Sequence, residues 1–260
     1  MKITVFTSNQ PRHLAYIRRL SEIASEVIAV MEVNTVFPGK VKDFFDNSPT
    51  MQEYFSRVRA AEVAIFGGLD FTPTNVRVMA LKAGDVNSLT REDLLPALDS
   101  DYYLVFGSSF IKGWLVHELV DKQAINIHMG LTPYYRGSSC NFWAIYDERP
   151  AFVGATIHLL SEGLDNGPGL FHVRPDFRGQ NLFEFTMESV VAAQDRVVSE
   201  ITSSTLLSRA GHTFSHSSQI RYSRNRDFTD SVANEFLMRT YSPEYFDELL
   251  RSKEQPELLR

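Results

Sequence analysis

The chain has 260 residues, 43% of them hydrophobic and 22% charged, with a formal net charge of −6. Such values suit a globular protein with a core of its own; they exclude a disordered chain and give no generally basic surface for nucleic acid, although Arg12, Arg18 and Arg19 cluster near the start. A single cysteine, Cys140, allows no internal disulfide, the first residues lack the apolar stretch of a signal peptide, and no run approaches the ~18–20 apolar residues that cross a bilayer, so a soluble cytoplasmic protein with no membrane insertion is expected.

Taken in chain order, the short β-branched and aromatic run Ile3 to Phe6 reads as a strand. It ends in a turn at Thr7 to Gln10, and Pro11 then starts a helix through Ile23. Val27 to Val33 reads as a second strand, Met51 to Ala61 as a helix, Val63 to Phe66 as a third strand ending at Gly67-Gly68, and Arg77 to Leu81 as a fourth. Glu92 to Leu98 is read as a helix, Tyr102 to Phe106 as a buried strand, Gly113 to Val120 as a helix and Ala124 to His128 as a strand. Two further strands, Val153 to Leu160 and Leu170 to Val173, precede a long helix over Asn181 to Thr202. The alternation predicts an α/β, Rossmann-like doubly wound and mostly parallel sheet, with ligands outside the carboxyl ends of its strands. After about Leu207 the chain turns polar, with short helices at Asp230 to Met238 and Pro243 to Leu250. The expected organisation is a catalytic domain over 1–204 and a small C-terminal subdomain over 205–260.

The segment Ala124 to Gly137 is the informative one. Asn126 and His128 lie two apart on a strand and share one face at its end. Asp165 lies in a glycine-rich turn, Glu162-Gly163-Leu164-Asp165-Asn166-Gly167, between two strands. An amide donor, an imidazole and a carboxylate suit acyl transfer to an amine. The amide meets the developing oxyanion, the imidazole accepts the amine proton, and the carboxylate orients the imidazole. On residue types alone, a lone Asn-x-His is more often a satisfied polar pair and Asp-Asn-Gly more often a plain turn. The five remaining histidines outside His128 and His158 show no metal-ligand spacing, no metal site is expected, and Cys140 reads as a packed small hydrophobe without catalytic surroundings.

Six blocks in order change the balance: Asn126-Ile-His128, Leu131-Thr-Pro133, Tyr135-Arg-Gly137, Trp143-Ala-Ile145, Gly154-x-Thr-x-His158 and Glu162-Gly-Leu-Asp165-x-Gly167. Together they resemble the 10-formyltetrahydrofolate-dependent formyltransferases. The resemblance implies that Asn126, His128 and Asp165 are the catalytic trio. It also implies a folate pocket lined by Ser108, Ser109, Phe110 and Ile111 and by Glu162, Gly163 and Leu164. His158 matches a family position and is expected to order the adjacent turn. Gly130 departs from a serine frequent in the family.

Within the family, the loop Ser8-Asn-Gln-Pro-Arg12 lacks the glycines of the glycinamide ribonucleotide enzyme, and about 55 C-terminal residues are too few for the RNA-binding barrel of the methionyl-tRNA enzyme. Arg221 to Asp227 is similar to a Tyr–Arg–Asp region of nucleotide-sugar N-formyltransferases. The resemblance therefore implies a homodimer that formylates a nucleotide-linked 4-amino-4,6-dideoxyhexose, such as GDP-perosamine or its dTDP-linked equivalent, for O-antigen. Asn9, Arg12 and His13 at a helix start, with Arg136, are expected to hold its diphosphate, and the sugar is expected near Tyr135 on the Thr132 to Gly137 loop. The alternatives are a methionyl-tRNA formyltransferase-like enzyme, an inactive folate- or nucleotide-binding module, and a hydrolase releasing formate.

Overall fold

The computed structural model describes residues 1–38, 40, 48–209, 211–252 and 254–260. Its strands are β1 (Lys2–Ser8), β2 (Glu26–Val33), β3 (Val76–Lys82), β4 (Tyr102–Val105), β5 (Ile125–His128), β6 (Tyr135–Gly137), β7 (Ala155–Leu159), β8 (Gly169–Val173) and β9 (Arg221–Ser223). Its α-helices are α1 (Pro11–Ile23), α2 (Pro49–Phe66), α3 (Arg91–Leu94), α4 (Trp114–Asp121), α5 (Cys140–Tyr146), α6 (Leu182–Thr202), α7 (Asp230–Met238) and α8 (Pro243–Leu250). Seven strands form one sheet in the order β3-β2-β1-β4-β5-β7-β8. The first five run parallel, and β7 and β8 are each antiparallel to the strand before them in that order. The fold is thus the expected α/β type with a mostly parallel sheet.

Side chains alternate between two layers of helices. Ile3 and Val5 of β1 meet Tyr16, Ile17 and Leu20 of α1 and Val190 and Val197 of α6. Phe6, Ile28 and Val30 face the other way, onto Leu94, Leu98 and Leu115. Because both faces are covered, the central strands are apolar throughout instead of alternating with polar residues. Each Leu or Ile fully buried in this way contributes roughly 1.5–3 kcal/mol.

Two readings of the sequence differ from the structure, and one pairing was not read at all. Val63 to Phe66 is no strand but the last turn of α2, which starts at a Ser48 cap and ends where the Gly67 N–H bonds to the Val63 carbonyl. A four-residue apolar run has no periodicity of its own, and the preceding helix simply continues through it. Glu92 to Leu98 is not one α-helix. It breaks into α3 and a 3-10 turn over Leu95–Leu98, because Pro96 can supply no amide hydrogen to continue the ladder. The pairing of β6 with β9 is new, and it joins segments more than 80 residues apart.

Beyond Thr202, where α6 ends, the chain folds back over the first part. Phe228, Ala233, Phe236 and Phe246 share one core cluster with Tyr54 of α2, Phe142 of α5 and Phe185 of α6. The segment 205–260 therefore packs its apolar residues into a shared core. Strand β9 seats on Gly137, where φ is +89° and an added Cβ would lie 2.0 Å from the Ser223 carbonyl oxygen. Only glycine allows that close approach. At the chain end, Leu259 N–H donates to Nδ1 of His172 at 2.9 Å.

Candidate active site

The carboxyl ends of β4 and β5 open into a cleft of about 330 Å³ lined by Phe106 to Ile111, Asn126, His128, His158 and the loop 160–165. A larger cleft of about 820 Å³ lies between α2, the start of α6 and the C-terminal helices. It contains no histidine, and its arginines Arg57 and Arg239 are paired with Glu53 and Glu235. The His128–Asp165 pair, with Asn126 and His158, lines the smaller cleft.

His128 is 7% exposed, and its Nδ1 is 3.3 Å from Oδ1 of Asp165. Burial, the largest influence, works against a charged imidazole, but Asp165 and Cys140 together outweigh it and raise the His128 pKa well above the ordinary value. For Asp165, burial alone would raise the pKa; the charge and hydrogen bond of His128 reverse this and lower it. The two shifts favour the ion pair; a charged His128 can donate to a developing oxyanion, and a neutral one can accept the amine proton. Asp165 itself has φ +49°, a conformation uncommon outside glycine, and the loop is pinned by Arg136, which donates to the Leu164 carbonyl and the Asn166 side chain.

Asn126 lies directly opposite His158 in the β5–β7 register. Burial, the largest influence, lowers the His158 pKa to about 4, so its ring is neutral. Its Nδ1 faces the Leu159 carbonyl at 2.8 Å and must carry the hydrogen. Nε2 is then an acceptor, and Nδ2 of Asn126 donates to it at 2.9 Å. This fixes which way the Asn126 amide points. His158 therefore orients Asn126 as well as the turn.

Cys140 has catalytic surroundings after all, since its Sγ lies 3.6 Å from Nε2 of His128. The reason is Gly130, where an added Cβ would meet Cys140 Cβ at 2.5 Å and His128 Nε2 at 2.8 Å. The space a serine would fill at 130 is taken by the Cys140 side chain.

Glu32, at the end of β2, gave no signal in the sequence, yet it holds the wall of the cleft. It is 1% exposed and accepts from Gly84 N–H at 2.6 Å, Ser109 N–H at 2.6 Å and the Ser108 hydroxyl at 2.9 Å. A buried carboxylate at a strand end, followed by small residues two loops away, is the only hint a sequence could give. Ser108 and Ser109 thus face Glu32 with their polar groups, while Phe110 (49% exposed) and Leu164 (42% exposed) stand at the mouth of the cleft. Ile111 is buried behind them, Gly163 lines the loop, and Glu162 points out to an exposed contact with His117.

The expected diphosphate site is arranged differently. Oε1 of Glu62 accepts from the Arg12 backbone N–H at 3.2 Å and from its guanidinium at 2.7 Å. The start of α1 is therefore already matched by an internal carboxylate. Asn9 ties its side chain to the Asn34 backbone in both directions. His13 is 3% exposed, and burial, followed by Arg12, lowers its pKa well below the ordinary value, so it brings no charge. Tyr135 is 1% exposed in the aromatic core, with its hydroxyl donating to Asp147 at 3.2 Å, so the structure places it as a packed core residue. Arg18 and Arg19 are paired with Asp70 and Asp195. Among the described residues, no group of three or more His, Cys, Asp or Glu could hold a metal ion, and no helix is long and apolar enough to cross a membrane.

Residues 75–199, which include Asn126, His128 and Asp165, match the family described as formyl transferase. Two curated relatives are methionyl-tRNA formyltransferases. One, from Novosphingobium aromaticivorans, is 29% identical over 173 residues, 64% of this chain and 54% of the relative. The other, from Thermosynechococcus vestitus, is 31% identical over 111 residues, 40% of this chain and 33% of the relative. The chain thus spans about half, or less, of these relatives. Among solved structures, a Mycobacterium tuberculosis protein described as a likely sugar N-formyltransferase superposes with a TM-score of 0.54 at 14% identity, over 98% of this chain and 88% of that one. An N-formyltransferase from Helicobacter canadensis, in complex with folinic acid and dTDP-3-aminofucose, gives 0.53 at 10% identity, over 90% of this chain and 79% of that one. At these identities the likeness is one of fold.

Proposed function

We propose that the protein is an N-formyltransferase that moves the formyl group of 10-formyltetrahydrofolate to the amine of a nucleotide-linked aminosugar. The observation that carries this reading is the His128–Asp165 pair beside the Asn126 amide, at 3.3 Å and in one cleft. The cleft suits a folate donor. Asn126, His128 and Asp165 bring polar groups into it, while Phe110 and Leu164 leave apolar surface exposed at the mouth for a flat ring. Asn126 and the His128 imidazolium are the donors for the oxyanion that forms as the amine nitrogen attacks the formyl carbon. Across the whole reaction one C–N bond forms, the bond from the formyl carbon to N10 breaks, and one proton passes in net from the amine to N10. Asp165 keeps His128 charged and correctly turned.

The sugar acceptor is favoured by the Mycobacterium and Helicobacter proteins named above, whose descriptions concern sugar N-formyltransfer or a dTDP-linked aminosugar, and which cover most of this chain. The 4-amino-4,6-dideoxyhexose, a role in O-antigen, a cytoplasmic setting and a homodimer belong to the same reading. The methionyl-tRNA relatives motivate a second reading, transfer to charged tRNA. One assay separates the two. The protein is supplied with formyltetrahydrofolate and either a panel of dTDP-, UDP- and GDP-linked aminosugars or methionyl-tRNA, and tetrahydrofolate release is followed. Turnover with a nucleotide sugar is the expected result. Turnover with methionyl-tRNA alone overturns the sugar assignment, and release of tetrahydrofolate without any amine points to hydrolysis.

A further inference from the structure

A second cleft, of about 280 Å³, adjoins the one that holds the trio. Arg12, Met129 and Ser139 belong to the walls of both. Its far wall is aromatic. The ring of Tyr54 lies 4.9 Å from Phe228, 5.5 Å from Phe183 and 5.8 Å from Phe142. Met187 and Val190 of α6 complete it. Two polar groups in these walls have no partner among the described residues. Tyr54 is only 8% exposed, and its hydroxyl makes no hydrogen bond; the Ser139 hydroxyl, exposed where the two clefts meet, makes none either. Ser139 precedes α5 at a position where serine usually caps the helix, yet it caps nothing and is held at φ +56°. The neighbouring residues keep it there: Ser138 N–H donates to the Ser223 carbonyl at 2.9 Å, and the Ser223 hydroxyl donates to the Ser138 carbonyl at 2.6 Å.

We propose that this aromatic cleft is the acceptor subsite, that it takes a single uncharged pyranose ring with an apolar, deoxygenated face, and that Tyr54 and Ser139 hydrogen-bond to the hydroxyls of that ring. The inference rests on the aminosugar reading above and names the part of the acceptor that lies next to the reacting amine. The volume is below the ~300–1,000 Å³ of sites for drug-sized ligands, so it suits one ring and not a whole nucleotide sugar. The walls favour C–H faces and a methyl group over oxygen. The only guanidinium in the lining, that of Arg12, is engaged by Glu62, so the diphosphate lies outside this cleft. Ser139 stands at the junction, where the sugar carbon bearing the amine passes from one cleft to the other.

The test is steady-state kinetics on the full chain with formyltetrahydrofolate and the dTDP-, UDP- and GDP-linked 4-amino-4,6-dideoxyhexoses. Tyr54→Phe and Ser139→Ala each remove one hydroxyl while keeping the shape of the wall. Each is expected to raise the acceptor KM about three- to tenfold, the worth of one hydrogen bond between neutral groups, with kcat changed less than twofold and folate affinity, read by fluorescence titration, unchanged. Ser139→Gly, which relieves the left-handed backbone, is expected to raise the acceptor KM equally while its melting temperature stays level or rises. If the native protein turns over one of these sugars and both hydroxyl deletions leave its KM within twofold, the subsite is overturned and the function stands. If the native protein turns over none of them, the aminosugar reading falls and the subsite with it.

Discussion

The cleft around His128 draws its walls from strand ends and tight loops, nearly all within residues 105–165. The cleft around Tyr54 draws its walls from α2, α5, α6 and Phe228, over 200 residues of chain. In the first, the central polar groups each have a second group holding them: Asp165 on His128, His158 on Asn126, Glu32 on Ser108 and Ser109. In the second, contacts between rings dominate and two hydroxyls are left unpartnered. Rigid polar preorganisation suits a step in which charge develops at a fixed point. A wall of aromatic faces suits selection by shape, where the same chemistry must be delivered to one acceptor among several. On the proposed reading, the two clefts divide the work between reaction and choice.

The largest effect that would break this division is at His128. His128→Asn is expected to lower kcat by about 10²–10⁴-fold while circular dichroism and the melting curve stay close to those of the native protein. A variant retaining native kcat would remove the first cleft from the chemistry. The pH dependence sharpens the same point. The His128 pKa is raised because Asp165, with a contribution from Cys140, outweighs burial; on the proposed mechanism the charged form is the donor, so the rate is expected to fall as pH rises through that pKa. Asp165→Asn removes the cause, and the alkaline limb of the kcat profile should move to lower pH. An alkaline limb that stays in place would mean that another group titrates.

A smaller effect is expected from Glu32, whose side chain touches no part of the trio. Glu32→Gln keeps the volume but exchanges a carboxylate with three donors around it for an amide that can satisfy fewer of them. Charge-assisted bonds of this kind are worth about 1.5–3 kcal/mol each, and only part of that reaches the donor site. We expect the folate Kd to rise about tenfold with the acceptor KM unchanged. Equal changes in both would show that the two clefts are not separable through this loop.

The α/β class and its mostly parallel sheet were legible because they depend on short-range patterns: apolar runs such as Tyr103 to Val105 mark central strands. That Asn126, His128 and Asp165 meet was expected only from the resemblance carried by six ordered blocks. What was not legible depends on contacts between distant segments. Glu32 looks like any acidic residue after a strand until the loop at 107–109 folds onto it. Cys140 becomes a neighbour of His128 only because Gly130 leaves room for it. Tyr135 reads as part of a pocket rim, yet period-2 placement in a three-residue strand turns it into the core. The aromatic cleft needs Tyr54, Phe142, Phe183 and Phe228 together, and no local pattern joins them.

Arg12 carries the smallest expected effect on catalysis, and its place between the clefts makes it informative. A cationic side chain at a helix start, beside a predicted pocket, reads as a phosphate ligand. The structure gives that position an internal anion: Glu62, 4% exposed, faces both the first-turn amide of α1 and the guanidinium. Losing the guanidinium leaves a buried carboxylate with one backbone donor. A fully buried pair broken in this way costs about 3–5 kcal/mol. The Arg12 side chain is 28% exposed, so water replaces part of what is lost, and about 1–2 kcal/mol is the reasonable expectation. Arg12→Ala should therefore lower the melting temperature while raising the acceptor KM less than threefold. Adding Glu62→Gln, which removes the stranded charge, should restore most of the stability without altering the KM. If instead Arg12→Ala raises the acceptor KM tenfold or more and the double variant does not recover it, the guanidinium leaves Glu62 to bind the diphosphate, and the boundary between the two clefts is itself part of the acceptor site.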